Sequence, residues 1–441
     1  MKKVLIVAYY FPPSGGPGVQ RVLKFVQYLR DFGWEPVILT VEDGTFPARD
    51  ESLLDEIPDG ITVRRTDLFE PYDLYRKFTG RKKDDGVDVN TLTSGSEKAA
   101  ATDRIAELIR STLFIPDARI GWRRYAVAAG KELLEQHDIA AIYSSSPPYT
   151  CSLIARDLKR ASGLPWVAGF RDPWTGFLTT PDRWFVPAAI DRRLERSVFR
   201  EADRIDVAWT GIADDAMAKV PELPPKKFVH LPNGFDSADF PTLAPNERVD
   251  SRFTITYTGS MYGVRTPEEF LTVLAGLLED ESIPSDDVRV RFIGRFGDEV
   301  HAMFDSFPIE SVLEVEGYLP HRESIRQLLL SDLLLLVVDT TGDAADIVPG
   351  KVYEYIGTGR PVLAIAPTEG AVARLLTETN AGKTAHQSEI EKIRVHLLAY
   401  YDAHRQGIPS VEPDEQTISS YERRDVTRRL AETLDEVTSS L

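Results

Sequence analysis

The feature that most constrains the fold is an apolar run, then an amphipathic segment, then a second apolar run. Residues 333–338, Leu-Leu-Leu-Leu-Val-Val, have the length and continuity of a buried strand. Pro349 and Gly350 stand where a helix can begin, because proline is tolerated in the first helical turn. Residues 362–365, Val-Leu-Ala-Ile, form the next apolar run. A strand, a helix and a strand in this order predict a parallel sheet covered by helices.

The same order occurs at the start of the chain and again after its midpoint. Residues 4–10 predict a first strand, and a glycine-rich loop and an amphipathic helix follow it. Residues 35–41 predict the second strand. After a polar stretch at 237–251, residues 253–257 start the pattern again. The sequence therefore predicts an α/β protein with two doubly wound, Rossmann-like domains.

Length and spacing give the boundaries of these domains. A chain of 441 residues exceeds what one core normally supports, so two domains of about 200 residues each are expected. We assign residues 1–240 to the first domain, with a polar, flexible insertion at about 79–103, and residues 250–405 to the second. Residues 415–441 have the spacing of a helix.

Composition excludes several classes of function. The hydrophobic content of 42% and the charged content of 27% are those of a globular protein. A net charge of −17 argues against nucleic acid as a general partner. It also argues against attraction of the whole surface to anionic lipid, although a local basic patch could still bind there.

Targeting signals and cysteine content favour the cytoplasm. Cys151 is the only cysteine, so no intrachain disulfide can form and a reducing compartment is expected. The apolar run after Met1 is short and ends at Pro12, which favours a buried strand over a signal peptide. No stretch approaches the roughly 20 apolar residues of a membrane span.

The helix predicted after Pro349 carries a candidate site for a phosphorylated sugar. A helix N-terminus offers unpaired N–H groups and positive potential, which suit a phosphate. Lys351 adds a charge there, and Glu354 lies on the same face and can accept two hydrogen bonds from a diol. An ordinary strand–helix–strand unit with a solvated lysine and glutamate would explain the same residues.

The loop after the first strand is a second candidate site. Gly15 and Gly16 would let the backbone approach a ligand without a Cβ atom in the way. A dinucleotide-binding fingerprint would read Gly16, Gly18 and then Arg21, where a third glycine is required for close helix–strand contact. The hypothesis of a nicotinamide-dependent oxidoreductase is therefore weakened. It stays open, because acidic residues after strand two would suit a ribose.

Arg171 and Asp172 follow an apolar strand predicted at residues 166–170. Ligands of parallel sheets bind at such carboxyl ends. Asp172 could hold a sugar hydroxyl or help an acceptor oxygen lose its proton. An Arg–Asp pair that braces the loop is an equal alternative.

Residues 104–124 form a basic segment that contains a tryptophan. Arg119, Trp122, Arg123 and Arg124 could rest on a membrane surface or bind a phosphorylated lipid acceptor. A helix packed on its own domain with a solvated basic edge is the favoured alternative, because most amphipathic helices face a core.

The stretch from Asp346 to Pro361 resembles the nucleotide-sugar signature of family 4 glycosyltransferases, retaining enzymes of the GT-B fold. The family pattern is an acidic residue, seven residues, a glutamate, and a small-residue turn before Gly-x-Pro-Val. Glu354 matches the second acid, whereas Asp346 stands where glutamate is usual. The resemblance implies two domains that face each other across a cleft, with the C-terminal helix at residues 415–441 returning to the N-terminal domain. It also implies that Glu354 holds the nucleotide ribose and that Asp346 holds hydroxyls of the donor sugar.

A second family motif contains the cations that bind the donor diphosphate. Gly259 matches its glycine, and Arg265 occupies the position of its lysine. Ser260 replaces the arginine that normally follows the glycine. The resemblance implies that Arg265 and Lys351 together stabilise the departing diphosphate, with Lys351 compensating for the missing arginine.

Three further segments take their roles from the resemblance. Gly15 and Gly16 match a glycine pair that faces the diphosphate. The loop with Tyr318 and Leu319 is implied to meet the base, mostly through backbone groups, although Tyr318 could be a plain core aromatic. Asp172 stands near the place of a sugar-contacting histidine, in a run that resembles cell-envelope sugar transferases.

The implied activity is transfer of a sugar from a UDP- or GDP-sugar to a hydroxyl of a glycan or lipid-linked acceptor. The transfer would retain the anomeric configuration of the sugar. The enzyme would serve envelope polysaccharide synthesis in the cytoplasm, including the inner face of the membrane. No metal or other cofactor is expected, since no Asp-x-Asp triplet or ligand-spaced histidines accompany the site. A catalytically silent GT-B scaffold is the second alternative, favoured by the departures at Ser260 and Asp346.

Overall fold

The computed structural model describes residues 1–46, 48–69, 111–112, 114–177, 180, 182–244, 247, 251–261, 266–338 and 347–439. The chain divides into two compact units. Met1–Pro232 together with Arg423–Leu441 form one unit, the N-terminal domain. Asn233–Glu422 form the other, the C-terminal domain.

The N-terminal domain is built on a seven-stranded parallel sheet. Its strands are β1 (Lys2–Ala8), β2 (Trp34–Val41), β3 (Thr62–Thr66), β4 (Ile139–Ser146), β5 (Trp166–Phe170), β6 (Arg204–Val207) and β7 (Phe228–His230). They lie in the order β3-β2-β1-β4-β5-β6-β7, so the winding reverses between β1 and β4. Val4 on β1 pairs with Pro36 on one side and with Ala141 on the other.

Helices connect these strands. They are α1 (Pro17–Tyr28), α2 (Arg123–Gln136), α3 (Thr150–Ser162), α4 (Phe185–Glu201) and α5 (Thr210–Lys219). Strand β1 is fully buried from Val4 to Ala8, as a central strand covered on both faces should be. The strand predicted at residues 166–170 is confirmed.

The C-terminal domain has a six-stranded parallel sheet. Its strands are β8 (Phe253–Thr258), β9 (Val288–Ile293), β10 (Leu313–Glu316), β11 (Leu333–Val337), β12 (Val362–Ile365) and β13 (Gly382–Ala385). The order is β10-β9-β8-β11-β12-β13, with the reversal between β8 and β11. Its helices are α6 (Glu268–Glu279), α7 (Asp298–Ser306), α8 (His321–Leu329), α9 (Gly350–Gly357), α10 (Ala371–Glu378), α11 (Ile390–Gln406) and α12 (Glu415–Ser419).

The last helix, α13 (Arg423–Ser439), belongs to the N-terminal domain although it ends the chain. Leu430 and Leu434 are fully buried and join the cluster that contains Val22 and Val26 of α1. The two-domain α/β fold predicted from the sequence is thus confirmed. Among the described residues, no helix combines the length and apolar character needed to cross a bilayer.

A buried ion pair explains why arginine stands at position 21. Both carboxylate oxygens of Asp206 on β6 accept hydrogen bonds from one terminal nitrogen of Arg21, each at 2.7 Å. The other terminal nitrogen donates to the carbonyls of Leu231 (2.7 Å) and Pro232 (2.9 Å). Tyr143 donates to the same carboxylate at 2.8 Å. Arg21 therefore fixes α1 to β6 and to the segment after β7, where a dinucleotide fingerprint would have a glycine.

We expect Asp206→Ala to destabilise the N-terminal domain by about 3–5 kcal/mol, because it leaves a buried guanidinium without its anion. The measurement is the unfolding transition of that domain by urea or calorimetry. Glu201→Ala is the matched control, since it breaks a more exposed pair with Arg160 and should cost less than about 1 kcal/mol. Equal losses in the two variants would contradict a structural role for the buried pair.

Candidate functional site

The carboxyl ends of strands β8 and β11 mark the place where a ligand of the C-terminal domain should bind. In open parallel sheets, ligands occupy the crevice at the point where the strand order reverses. Strand β8 ends at Thr258, and the first turn of helix α9 supplies Lys351 to the same edge.

Lys351 is held against the end of β8. Its ammonium donates hydrogen bonds to the Thr258 carbonyl at 2.7 Å and to the Tyr257 hydroxyl at 2.8 Å. It also lies 4.2 Å from the centroid of the Tyr257 ring. A full positive charge is thereby fixed at the switch point, which the alternative of a freely solvated lysine does not explain.

Two glycines make room for this arrangement. Gly259 has a φ of +117°, and a Cβ atom there would overlap the Lys351 ammonium. Gly294, at the end of β9, has a φ of +153°, and its Cβ atom would overlap the backbone carbonyl of Gly259. Gly259 also donates to the Ile293 carbonyl at 2.8 Å. The sequence pointed to Gly259, but Gly294 was missed, since its only signal was its place after a predicted strand.

The first turn of α9 adds a second source of positive potential. Pro349 is the residue at the helix N-cap, and no side chain from the described part of the chain caps the first turn. Gly350 is exposed, and a Cβ atom there would meet nothing within 4 Å. Helix α9 starts where the sequence predicted, and a helix N-terminus presents backbone amides that suit an anion.

Glu354 has a partner that sequence reasoning missed. Nε2 of His321, the first residue of α8, lies 2.8 Å from one carboxylate oxygen of Glu354. The two residues are 33 positions apart, so no local pattern connects them. Glu354 is partly exposed, and the contact to His321 fixes its orientation on α9.

Tyr318 is 63% exposed, so the alternative that it is a core aromatic is wrong. The Arg295 guanidinium lies 5.0 Å from the centroid of its ring. Leu319 is half-buried beside it, just before α8 begins at His321. An exposed aromatic ring next to Glu354's partner offers a flat surface for a base. Arg265 and Asp346 lie outside the described residues.

In the N-terminal domain, the loop after β1 forms a turn held by backbone hydrogen bonds. The Gly15 amide donates to the Ala48 carbonyl at 2.9 Å and is therefore already satisfied. Gly16 is exposed at the start of α1, with a φ of +99°. Only Gly16 of this pair offers an exposed backbone position to a ligand.

Arg171 and Asp172 do not form the pair that one alternative required. The Arg171 guanidinium donates to the carbonyls of Gly18 (2.5 Å) and Pro147, so it connects the first turn of α1 to the loop after β4. Burial raises the pKa of the Asp172 carboxyl, and the charge of Arg171 offsets part of that rise. The Asp172 carboxylate accepts no hydrogen bond from the residues that the structure describes. It is a mostly buried acid at a strand end, available to a ligand hydroxyl.

The basic segment around Trp122 is packed on its own domain. Trp122 is fully buried and donates through its indole nitrogen to Thr66 at 2.7 Å, so it cannot rest on a membrane. Arg119 donates to a backbone carbonyl at 2.9 Å, and Arg123 pairs with a carboxylate of α3 at 2.6 Å. Arg124 stacks on a neighbouring tyrosine ring. The favoured alternative, packing on the protein's own domain, therefore holds for Trp122, and the alternative of a membrane contact through this side chain is wrong.

We expect Gly259→Ala to destabilise the C-terminal domain, because its φ costs an alanine about 1–3 kcal/mol and its Cβ displaces Lys351. In a Lys351→Ala background the second effect vanishes, so the loss should shrink by about 1 kcal/mol or more. Unfolding of the four proteins of this double-mutant cycle measures the difference. Gly276→Ala, at an open helical position, is the control. If the stability losses of Gly259→Ala and Lys351→Ala were strictly additive, the two positions would not be in contact.

The chain was compared with known proteins. Residues 15–234 match the family model described as "Glycosyl transferase 4-like domain". No curated protein matches. HepE of Anabaena in complex with UDP-glucose is 14% identical over 100% of both chains, with a TM-score of 0.54. The lipopolysaccharide outer core galactosyltransferase WaaB is 13% identical over 100% of both chains, with a TM-score of 0.56. A sucrose-phosphate synthase of Thermosynechococcus elongatus is 10% identical over 100% of both chains, with a TM-score of 0.62.

These findings agree with the strand orders of the two domains. Residues 15–234 are a glycosyl transferase 4-like domain, and the chain belongs to the family 4 glycosyltransferases of the GT-B fold.

Proposed function

We propose that this glycosyltransferase moves a sugar, with retention at the anomeric carbon, from a UDP- or GDP-sugar to a hydroxyl of a glycan or lipid-linked acceptor. The observation that carries the proposal is the Lys351 ammonium, held at the end of β8 beside Gly259 and the first turn of α9. A role in cell-envelope polysaccharide synthesis, at the cytoplasmic side, is supported by the likeness to the fold of WaaB, a lipopolysaccharide galactosyltransferase.

The chemistry follows from the charge that develops on the leaving group. As the bond between the anomeric carbon and the diphosphate breaks, negative charge grows on the phosphate oxygens. A fixed cation and a helix N-terminus stabilise that charge more than they stabilise the ground state, so they lower the barrier. Lys351 and the amides at Gly350 supply both, and we propose Arg265 as the second cation. The departing diphosphate would accept the acceptor proton, and no metal ion is required.

The remaining contacts follow from the same helix. We propose that Glu354, oriented by His321, accepts hydrogen bonds from the ribose hydroxyls. Tyr318 and the backbone at Leu319 would meet the base, and Asp346 would hold donor hydroxyls. The crystal structure of HepE with UDP-glucose supports a nucleotide-sugar ligand for this fold.

Two residues of the N-terminal domain are proposed to contact the substrates. Gly16 offers its exposed backbone to the donor. Asp172 would accept a hydrogen bond from a sugar hydroxyl, which its buried carboxylate does not receive from the described part of the chain. A hydroxyl donor would relieve the cost of burying that carboxylate.

A thermal-shift panel of UDP- and GDP-sugars with NADH, followed by a transfer assay, tests the proposal. A true donor at a hundred times its Kd should add about 2.7 kcal/mol to the folded state, and NADH should add nothing. The product should keep the donor's anomeric configuration by NMR, and EDTA should leave the rate unchanged. Stabilisation by NADH alone would establish the oxidoreductase, and binding without turnover of any acceptor would establish the silent scaffold.

We expect Lys351→Ala to lower kcat by roughly a hundredfold, because it removes a contact to charge that develops in the transition state. Steady-state kinetics with the donor found in the panel measure the effect. Lys392→Ala, which removes an exposed lysine paired with Glu389, is the control and should keep the parental rate. Near-normal turnover of Lys351→Ala would remove this lysine from the mechanism.

A further inference from the structure

Helix α4 begins with a cluster of apolar side chains that face solvent. Phe185 is 78% exposed and Trp184 is 52% exposed. Val186 and Ile190 are 45% and 46% exposed. Single exposed apolar residues are ordinary on protein surfaces, but four within seven positions form a contiguous patch. Such patches are typical of surfaces that bind an apolar partner.

The same face of α4 becomes basic toward its C-terminal end. Arg192, Arg193 and Arg196 are exposed, and helical spacing places them in line with Phe185 and Val186. Arg192 and Arg193 make no hydrogen bond or ion pair within the described residues. Phe185 and Arg192 are seven residues apart, which corresponds to about 10 Å along the helix axis.

The acids of α4 do not neutralise this face. Asp191 and Glu195 are buried and are paired with Arg183 at 2.9 Å and with Lys219 at 3.0 Å. Glu201 ends the helix, in a pair with an arginine of α3. Asp182, before the helix, is the exposed acid nearest in sequence to the apolar cluster. Inward acids and outward arginines give this face a local positive charge on a chain whose net charge is −17.

We propose that this surface, made of Trp184, Phe185, Val186, Ile190, Arg192, Arg193 and Arg196, docks the protein on an anionic lipid bilayer. The apolar side chains at the N-terminal end of the helix enter the boundary between headgroups and acyl chains. The arginines, about 10 Å further along, then lie at the level of the anionic headgroups. The inference does not depend on the proposed function.

A second copy of this chain fits the surface less well. A two-fold dimer buries the same patch on both partners, so it would bring three arginines of one copy close to those of the other. Like charges in a desolvated interface oppose association, whereas anionic lipid neutralises them.

Vesicle sedimentation tests the proposal with the full-length protein. We expect binding to vesicles of phosphatidylcholine with about 30 mol% phosphatidylglycerol and little binding to phosphatidylcholine alone. The pair Trp184→Ser and Phe185→Ser should weaken the partition coefficient about tenfold or more. The pair Arg192→Glu and Arg193→Glu should do the same and remove the preference for anionic lipid.

Matched variants distinguish binding through this surface from nonspecific binding to vesicles. Ile408→Ser changes an apolar side chain that is 54% exposed elsewhere, and Lys226→Glu reverses a charge at another exposed site. Both should bind vesicles like the parent protein. Trp184 donates one hydrogen bond within its own domain, to Thr112 at 3.0 Å. The other altered side chains face solvent without such a contact in the described part of the chain, so all variants should remain folded and unfold within a few degrees of the parent protein.

Tryptophan emission gives a readout specific to this surface. Trp184 is the exposed one of six tryptophans, and the other five are buried. Anionic vesicles should shift the emission to the blue, and Trp184→Phe should abolish the shift while binding persists. Three outcomes would overturn the proposal. The parent protein does not bind anionic vesicles, both surface variants bind them as strongly as the parent protein, or the protein forms concentration-dependent dimers that the same variants abolish.

Discussion

The C-terminal domain depends on one arrangement, an ammonium group held at the end of a central parallel strand. A lysine in that position needs oxygen acceptors on one side and an absence of side-chain atoms on the other. Thr258 and Tyr257 supply the acceptors, and Gly259 supplies the space. Gly294 has no Cβ atom, so the end of β9 can lie close to the backbone of Gly259. The positive charge is therefore built into the backbone of the domain, and a ligand does not have to order it on binding.

Apolar continuity made most of the fold predictable. Central strands of parallel sheets are covered on both faces, so apolar runs such as 333–338 and 362–365 predict strands with little ambiguity. The site was predictable only where one local element carries it, as with Lys351 and Glu354 on a single helix. The contact between Glu354 and His321 joins two helices that are distant in sequence, and no periodicity reports on it. The same limit applies to Gly294, whose role arises from a neighbouring strand.

Position 21 shows how one residue changes what a loop can do. A third glycine would let α1 approach the sheet closely, as dinucleotide binding requires. Arginine instead fills that contact and reaches a buried carboxylate on β6. Because a buried guanidinium without its anion is strongly unfavourable, Arg21 and Asp206 have to be present together. The glycine-rich loop of this chain therefore serves a fold in which α1 is anchored through charge.

Burial also decides which parts of an acidic chain become locally basic. The segment around Trp122 looks basic in the sequence, yet its arginines bind carbonyls and a carboxylate of their own domain. Helix α4 has three acids and four arginines in its sequence, and no excess of charge is obvious there. Its fold turns Asp191 and Glu195 inward and leaves Arg192 and Arg193 in solvent. A surface potential follows from which charges are paired within the fold, so a count along the sequence can assign it to the wrong segment.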